Sequence, residues 1–308
     1  DIRIRINGYH LASIREYSMQ IAVLFRKVDE GIDLSCYTIH HIAELWRKSG
    51  LNVSYIFGVE KYVPADLIIV HIDFSIVPRE YLEFASKYPI VLNGQVENIC
   101  KSEFSEGALG PDSDWNGKVI VKSNLNHGGI QEQIHSAILN KPHLDLYRRI
   151  TSKVKRLMGR ELLFMDPYDY KIIDHISMVP KHWFRSSNAI VEKFMPEIEN
   201  NLYHIRMFQV LGDHWTCERL ASPNPIVKGG NCVNVEVVEP EKDIFEWRQK
   251  LKLDYGKLDY VVIDGKPILL DINKTIGATG LIDKKENDKK RKYLSDGIYS
   301  YFNQTEAE

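Results

Sequence analysis

The sequence predicts an α/β protein with a small parallel sheet at the N-terminus and an α+β C-terminal part. Three observations support this prediction. Strand and helix patterns alternate over the first hundred residues, a Gly-, Ser- and Asp-rich linker follows at about residues 102–117, and the remaining chain reads as strands, two hairpins and three helices. A chain of 308 residues is long enough for two domains, or for one large domain with a substantial core.

The first third of the chain alternates apolar strands with amphipathic helices. The helix predicted at 35–49 has apolar residues at helical spacing and stops at Gly50, a common C-cap residue. The run at 65–72 is continuously apolar, which is typical of a strand buried on both faces. With further strands at 21–25, 53–57 and 88–92 and a helix at 78–87, this order predicts parallel α/β structure.

The pattern changes after the linker. Strands are predicted at 118–123, 170–174, 189–194, 203–211 and 214–220, and helices at 144–158, 243–251 and 284–302. The basic residues of the helix at 144–158 are expected to form a solvated face, with a polyanion site as the alternative. We place domain boundaries at 19–101, 102–191 and 192–308. Residues 1–18 are expected to be an extension or an expression remnant without a functional role.

Composition limits the classes of function. Hydrophobic residues make up 44% and charged residues 27% of the chain, and the formal net charge is −2, so nothing favours nucleic acid or an anionic membrane as a partner. No apolar run has the length of a membrane span, and the first residues lack a signal-peptide pattern. The four widely spaced cysteines are expected to be free thiols, so we expect a cytoplasmic protein.

A predicted hairpin near the C-terminus carries oxygen-bearing side chains among apolar ones. Its strands are 258–263 and 267–273, and the polar positions are Asp259, Asp271 and Asn273. Residues on both faces of this hairpin are apolar, so we expect it to be buried and its acids to need a partner. A surface hairpin with two solvated acids and a buried salt bridge remain as alternatives.

The loop of this hairpin decides which side chains meet. A two-residue loop would pair Asp259 with Leu270 and turn Asp271 to the other face. A three-residue loop through Lys266, with Gly265 in a left-handed bulge, pairs Asp259 with Asp271 instead. We predict the three-residue loop, which also places Asn273 on the same face because side chains repeat every second residue. Two facing carboxylates repel unless a cation lies between them, and Mg²⁺ with nucleotide phosphates suits an oxygen-only cluster.

Two further segments carry weaker signals. In "KVIVKSNLNHGG" a strand bearing Lys122 precedes a turn whose Gly128 and Gly129 could cover a phosphate with backbone N–H groups. An ordinary hairpin turn with an exposed lysine would look the same. The hairpin "IRMFQVLGDHWTCERL" places Arg206 and Arg219 on its two strands, where they could clamp phosphates or form structural ion pairs with acids.

Together with "IVEKFMPEIE", a strand that ends in an acid-rich turn, the order of these segments resembles the ATP-grasp superfamily from Met19 onward. The resemblance implies a small pre-ATP-grasp domain at 19–101 followed by an ATP-grasp fold of two subdomains. It implies Mg²⁺, with Mn²⁺ as an alternative, on Asp259, Asp271 and Asn273. It implies ATP contacts from Lys101, Lys122, Gly128, Gly129, the adenine hinge Glu192, Lys193 and Phe194, and a ribose acid at Glu197 or Glu199.

The same resemblance implies catalytic roles for Arg206 and Arg219, which match basic positions that contact phosphate or the acyl phosphate. Two features depart from the family pattern. Many of its ligases have glutamate at the position of Asp271, and "NLNHGG" is less rich in serine and glycine than their phosphate loops. The segment "SPNPIVKGGN" is expected to carry substrate specificity, with Lys228 and Asn231 as contacts.

The implied function is an ATP-dependent ligase that joins a small-molecule carboxylate to an amine, or to a thiol, through an acyl phosphate. A kinase of the same fold and a non-catalytic nucleotide-binding protein are the alternatives, and a homodimer is one option for its assembly. A dinucleotide-binding domain is discounted, because "LFRKVDEG" after the first strand lacks the G-x-G-x-x-G pattern.

Overall fold

The structure, a computed structural model, describes residues 19–139, 170–278 and 284–302. The N-terminal extension and the helix predicted at 144–158 lie outside the described residues. In the described parts of the chain, no helix has the length and apolar character needed to cross a membrane. All four cysteines are free, as predicted.

The N-terminal part is a four-stranded, entirely parallel sheet with the strand order β2-β1-β3-β4. Helix α1 covers one face with Ile39, Ile42 and Trp46, and α2 covers the other with Tyr81 and Phe84. Burial on both faces explains why β1 and β3 read as continuous apolar runs. The elements are β1 (Gln20–Phe25), α1 (Thr38–Lys48), β2 (Asn52–Phe57), β3 (Leu67–Val70), α2 (Arg79–Ala85) and β4 (Ile90–Leu92). The predicted parallel α/β structure of this part of the chain is confirmed.

A second, antiparallel sheet of three strands follows. Strand β5 (Val119–Ser123) lies between β6 (Lys171–Ile173) and β7 (Ala189–Lys193). A glycine turn at Asn126–Gly129 follows β5, and helix α3 (Ile130–Leu139) begins directly after this turn. This small sheet carries Lys122 and Glu192 on neighbouring antiparallel strands.

The third sheet is antiparallel, with the order β11-β10-β9-β12-β13 and β8 paired to β9. One face packs Phe208, Leu258, Tyr260 and Ile272 against Ile244 of helix α4. The other face carries Asp259 and Asp271, and helix α5 packs against it at β10. The elements are β8 (Glu197–Glu199), β9 (Leu202–Leu211), β10 (His214–Ser222), β11 (Asn234–Val237), α4 (Lys242–Leu251), β12 (Tyr255–Ile263), β13 (Lys266–Asn273) and α5 (Lys284–Asp296). The predicted α+β character of this part is therefore confirmed.

Two glycines allow the end of α5 to approach the β9–β10 turn. Gly212 has a φ of 58° in that turn, and a Cβ on Gly297 would collide with the carbonyl oxygen of Leu211. Neither the backbone carbonyl nor the helix end can move without disturbing the packing around it.

Replacing Gly297 with alanine is therefore expected to lower the free energy of unfolding by about 1–3 kcal/mol, a typical cost of overpacking. Urea denaturation monitored by circular dichroism measures this effect. Gly110→Ala is the control, because no atom lies within 4 Å of a Cβ there. Equal stability of the two variants would show that the contact is not tight.

Candidate nucleotide and metal site

The C-terminal hairpin brings its two acids together. Asp259 of β12 lies directly across from Asp271 of β13, and Asn273 lies across from Lys257. Side chains of directly paired residues share a face, so Asp259, Asp271 and Asn273 lie on the same face of the sheet. The predicted pairing of the acids is confirmed.

The predicted three-residue loop is wrong. Ile263 pairs with Lys266, so the loop has two residues, Asp264 and Gly265, with φ values of 50° and 76°. Two successive positive φ values describe the type I′ turn, for which Asp-Gly is a favoured sequence. The turn chemistry therefore favours a shorter loop than the one that we predicted.

A β-bulge restores the register that the two-residue loop would have lost. Tyr260 pairs with Leu269 whereas Asp259 pairs with Asp271, so Leu270 is an extra residue on β13. Without this bulge Ile272 would leave the core and Asp271 would enter it, because a slip of one residue exchanges the two faces. Burial of Ile272 at 0% exposure is the physical reason for the bulge.

Two buried lysines approach the acids from other parts of the fold. The Nζ of Lys101 lies 3.1 Å from Oδ1 of Asp271 and donates to the carbonyl of Leu125 at 3.2 Å. The Nζ of Lys122 lies 2.5 Å from Oε2 of Glu192 and donates to the carbonyl of Leu270 at 3.2 Å. Lys101 and Lys122 are 2% and 6% exposed. Buried ammonium groups need anionic or carbonyl partners, and these contacts supply them.

The positive charges around Asp271 keep it ionised. Burial by itself raises the pKa of a carboxyl group, but Lys101, Lys228 and Lys122 outweigh burial and hold the pKa of Asp271 below its usual range. Burial also lowers the pKa of Lys228, although the carboxylates of Asp271 and Asp259 oppose that shift. The site is thus an acid pair inside a group of lysines.

The donor set fits a hard cation. Oδ1 of Asp259 is buried, and no hydrogen-bond donor in the described residues reaches it. Its other oxygen, Oδ2, accepts from Nζ of Lys257. Carboxylate and amide oxygens are ligands that Mg²⁺ prefers, and Mg²⁺ completes its shell with water and phosphate oxygens. The amide oxygen of Asn273 now accepts from the N–H of Thr275 at 2.7 Å, so as a metal ligand it would share its lone pairs with that bond. The described residues contain no group of three or more His, Cys, Asp or Glu side chains placed to hold a metal, and the third donor here is an amide.

The glycine turn after β5 adopts an unusual backbone. His127, Gly128 and Gly129 have φ values of 44°, 73° and 77°, and α3 begins immediately afterwards. Backbone N–H groups at a helix N-terminus, preceded by left-handed residues, form a concave site for anions. The turn is anchored where the N–H of Asn126 donates to Oγ of Ser75 at 2.8 Å. Lys101 contacts this same turn through Leu125, so the turn and the acids belong to one site.

The predicted adenine hinge lies at the end of β7. Glu192 is 4% exposed and connects the hinge to the site through its ion pair with Lys122. The N–H groups of Lys193 and Phe194 donate to the carbonyls of Gly107 and Lys118, at 2.8 and 2.9 Å. These two N–H groups are therefore already used, and base recognition by the hinge stays a prediction.

Arg206 and Arg219 lie elsewhere. They are direct neighbours across β9 and β10, and both contact Oε1 of Glu197, at 3.1 and 2.7 Å. Arg206 also pairs with Glu241, and Arg219 pairs with Glu199 and Glu236. Burial would raise the pKa of Glu197, but hydrogen bonds from Arg206, from the N–H of Val262 and from Arg219, together with the charge of Arg206, outweigh burial and lower it.

This ion network occupies the face of the sheet opposite to the acids. Arg206 pairs with Tyr260, whereas Asp259 pairs with Met207. Adjacent residues point to opposite faces, so the arginines and Glu197 are separated from Asp259 by the sheet itself. The placement favours a structural role for the network, and the catalytic and ribose-binding roles of its members stay predictions.

The specificity segment contributes one side chain to the site. Lys228 lies near the acids, and its Nζ stands 5.6 Å from the ring centre of Tyr170. Asn231 instead shapes the loop, because its Oδ1 accepts from the N–H of Lys228 and its Nδ2 donates to the carbonyl of Ile226. Lys257 is a site residue that the sequence reasoning missed. Its position two residues before Asp259 on a strand was a usable signal.

No protein-family model matches the chain, and no curated protein matches its sequence. Its structure is similar to a D-alanine–D-alanine ligase from Bacillus anthracis complexed with ATP, with 15% identity, a TM-score of 0.47, and coverage of 94% of this chain and 99% of the ligase. It is similar to a RimK domain ATP-grasp protein from Sphaerobacter thermophilus, with 8% identity, a TM-score of 0.47, and coverage of 91% and 99%. It is also similar to the macrocyclase MdnC from Microcystis aeruginosa bound with precursor peptide MdnA, with 9% identity, a TM-score of 0.47, and coverage of 92% and 100%.

An ATP-grasp protein, the kind of protein that the sequence motifs resemble, is thus among the structures similar to this chain. Because the identities are 15% or lower and the TM-scores are below 0.5, these similarities assign no activity. The chemistry of the chain therefore has to be inferred from the residues of its own site.

Proposed function

We propose that the chain is an ATP- and Mg²⁺-dependent ligase that joins a carboxylate to an amine, or to a thiol, through an acyl phosphate. The observation that carries this proposal is the facing pair Asp259 and Asp271, with the lysines Lys101, Lys122 and Lys228 converging on it. Such a site suits a ligand that brings both a cation and anionic phosphates, and Mg²⁺-nucleotide has this composition.

Asp259, Asp271 and Asn273 are the proposed metal ligands. When bound, Mg²⁺ would supply positive charge beside the phosphates and lower the energy of their developing negative charge. Lys101 and Lys122 would donate to phosphate oxygens, in exchange for their present partners Asp271 and Glu192. The turn with Gly128 and Gly129 would cover the phosphates with backbone N–H groups.

Catalysis in this proposal is positioning and charge stabilisation, and no side-chain nucleophile takes part. Lys228 would hold the substrate carboxylate close to the transferred phosphoryl group, because its ammonium group lies near both acids. Lys101 and Lys122 would stabilise the charge that develops on that group in an environment from which much water is excluded. The predicted contact of Arg206 and Arg219 with the acyl phosphate requires that this intermediate reach the face of the sheet on which the two arginines lie.

Nucleotide binding is the first test of the proposal. ATP with Mg²⁺ is expected to raise the melting temperature in a thermal-shift assay, because a ligand that binds only the native state stabilises it. At a hundred times its Kd the ligand adds about 2.7 kcal/mol to the free energy of unfolding. ATP with excess EDTA is the control and is expected to give a smaller shift. No shift at millimolar ATP and Mg²⁺ would contradict the proposed site.

The reaction class is tested by product analysis with panels of carboxylates and amines. A ligase releases ADP and phosphate only when both substrates are present, and it forms an amide with an amine or a thioester with a thiol. A stable phosphorylated compound formed without an amine would instead identify the protein as a kinase.

A further inference from the structure

The residues that follow the acid hairpin are bound to the N-terminal part of the chain. The N–H of Thr38 in α1 donates to the carbonyl of Ile276 at 2.8 Å, and Nζ of Lys274 donates to the carbonyl of Phe74 at 2.8 Å. Lys274 is 1% exposed, so this contact is buried. The proposed metal ligand Asn273 therefore precedes a segment whose position is set by α1 and by the loop after β3.

The amide oxygen of Asn273 is held by the residue two positions later. The N–H of Thr275 donates to Oδ1 of Asn273 at 2.7 Å, and the hydroxyl oxygen of Thr275 lies 3.2 Å from the same atom. An amide oxygen has two lone pairs. The bond from the N–H uses one of them, so the hydroxyl of Thr275 competes with a metal ion for the other.

Asp73 offers the hydroxyl of Thr275 a second acceptor. Oγ1 of Thr275 lies 2.6 Å from Oδ1 of Asp73, which is shorter than its 3.2 Å distance to Oδ1 of Asn273. A hydroxyl group has one proton to donate, and a carboxylate is a stronger acceptor than a neutral amide. The proton therefore goes to Asp73, and the second lone pair of Asn273 stays free.

The carboxyl group of Asp73 is itself fixed by the N-terminal part of the chain. It is 8% exposed, and its Oδ2 accepts from the hydroxyl of Tyr37 at 2.9 Å, while Nη1 of Arg26 donates to its backbone carbonyl at 3.3 Å. Burial, with the charge of Glu132, raises the pKa of Asp73, although the hydrogen bonds from Thr275 and Tyr37 and the charge of Arg26 oppose that shift. Hydroxyl donors on both oxygens fix this group as a hydrogen-bond acceptor.

We propose that Asp73 is a positioning residue for the metal site and acts through Thr275 on Asn273. It takes the hydroxyl proton of Thr275 and leaves the amide oxygen of Asn273 free for the metal ion, and it touches neither the ion nor the nucleotide. Partners that orient metal ligands in this way are typically worth about 10- to 100-fold in metal affinity. This role rests on the proposed function, because it requires Asn273 to be a metal ligand.

Isothermal titration calorimetry of the full chain measures the affinity for ATP in excess Mg²⁺ and in excess EDTA. Asp73→Leu is expected to weaken binding in Mg²⁺ about tenfold or more. Among the described residues, Asn273 is then the acceptor left for the hydroxyl of Thr275. Binding in EDTA is expected to stay unchanged, because the lysines proposed to contact phosphate are not altered. Asp73→Asn retains an uncharged acceptor oxygen and is expected to lie between the wild type and Asp73→Leu.

Two further proteins distinguish positioning from a general loss of structure. Asp73→Leu combined with Thr275→Val removes the competing hydroxyl and is expected to recover most of the lost affinity, because two apolar side chains then replace a hydrogen-bonded pair. Asp254→Leu is the matched control, since Asp254 also accepts from a tyrosine hydroxyl, that of Tyr301 at 3.1 Å. It lies five residues before Asp259, or roughly 16 Å of extended strand, and is expected to leave both affinities unchanged. Circular dichroism checks the folding of each variant.

The outcomes separate the role of Asp73 from the proposed function. Wild-type affinity of Asp73→Leu in Mg²⁺, or a double variant as weak as Asp73→Leu, would overturn the positioning role alone. Equal losses in Mg²⁺ and in EDTA would mean general damage to the nucleotide site and would also overturn it. If the wild type binds ATP no more tightly in Mg²⁺ than in EDTA, the metal site is wrong, and the proposed function fails together with the role of Asp73. If Asp73→Leu does not fold, Asp73→Asn is judged by the same criteria.

Discussion

Replacing Asp271 with asparagine is expected to reduce Mg²⁺-dependent ATP turnover about 100-fold or more, and to abolish the thermal stabilisation by ATP and Mg²⁺. Asp271 lies across from Asp259 and is the carboxylate that the surrounding lysines keep ionised. The amide has nearly the same shape but no charge, so it weakens the metal site without opening a cavity. Effects of this size are typical when one preorganised charge-stabilising group is removed from an active site.

Two variants make this expectation specific. Asp271→Glu retains the charge and is expected to retain part of the turnover and of the thermal shift. Glu236→Gln makes the same acid-to-amide change on the opposite face of the sheet, where Glu236 contacts Arg219, and is expected to have wild-type turnover. Asp271→Asn also leaves Lys101 without its counter-charge, so its folding is checked first by circular dichroism. Undiminished turnover in a folded Asp271→Asn protein would remove Asp271 from the metal site.

The acid hairpin shows which parts of the site the sequence could predict. Alternation of side chains placed Asp271 and Asn273 on one face, but their position opposite Asp259 was predicted through a three-residue loop that the structure does not have. The predicted pairing is nevertheless present, because the bulge at Leu270 shifts the register by one residue. The loop length was wrong because the bulge at Leu270 and the type I′ turn have compensating effects on register. The two-residue turn and the bulge shift the register in opposite directions. The pattern of apolar residues is therefore the same as for a three-residue loop without a bulge.

The arginines show where sequence reasoning stops. Whether Arg206 faces the acids depends on the register between β9 and β12, which are joined by more than forty residues in the chain. No local turn fixes that register, and packing of Phe208, Leu258 and Tyr260 into one core decides it. The parallel sheet was easier to predict, because burial on both faces gives each strand a continuous apolar run.

The second large expected effect is a dependence of stability on pH, and it comes from a buried histidine at the parallel sheet. His71 is 1% exposed, and neither ring nitrogen has a hydrogen-bond partner in the described residues. Its ring packs between Phe25 and Tyr37, each with a centroid distance of 4.9 Å. Burial, together with the positive charges of Arg26 and Lys274, lowers the pKa of His71 to about 3.

The free energy of unfolding is expected to fall as pH falls below about 6.5, by about 1.4 kcal/mol per pH unit from this residue alone. In that range the unfolded chain binds a proton at His71 and the folded chain does not, until the pH approaches the folded pKa of about 3. Stability is therefore gained as pH rises through this window and is fully present above it. Between pH 6.5 and 4.5 the loss amounts to roughly 2 kcal/mol, which is a large fraction of the stability of a typical domain.

Substitution of His71 separates its contribution to the pH dependence of stability from the contribution of the carboxylates, which titrate in the same range. His71→Leu removes the titrating ring from an apolar site and is expected to change stability at pH 7 by less than about 1.5 kcal/mol, as for other swaps of similar volume. Urea denaturation at pH 6.5 and 4.5 is expected to show a smaller loss for this variant than for the wild type, by roughly 2 kcal/mol. His182→Leu, at an exposed position, is the control. Equal losses in all three proteins would mean that the ring of His71 gains a proton and a partner in the folded state, which would require the sheet to open around it.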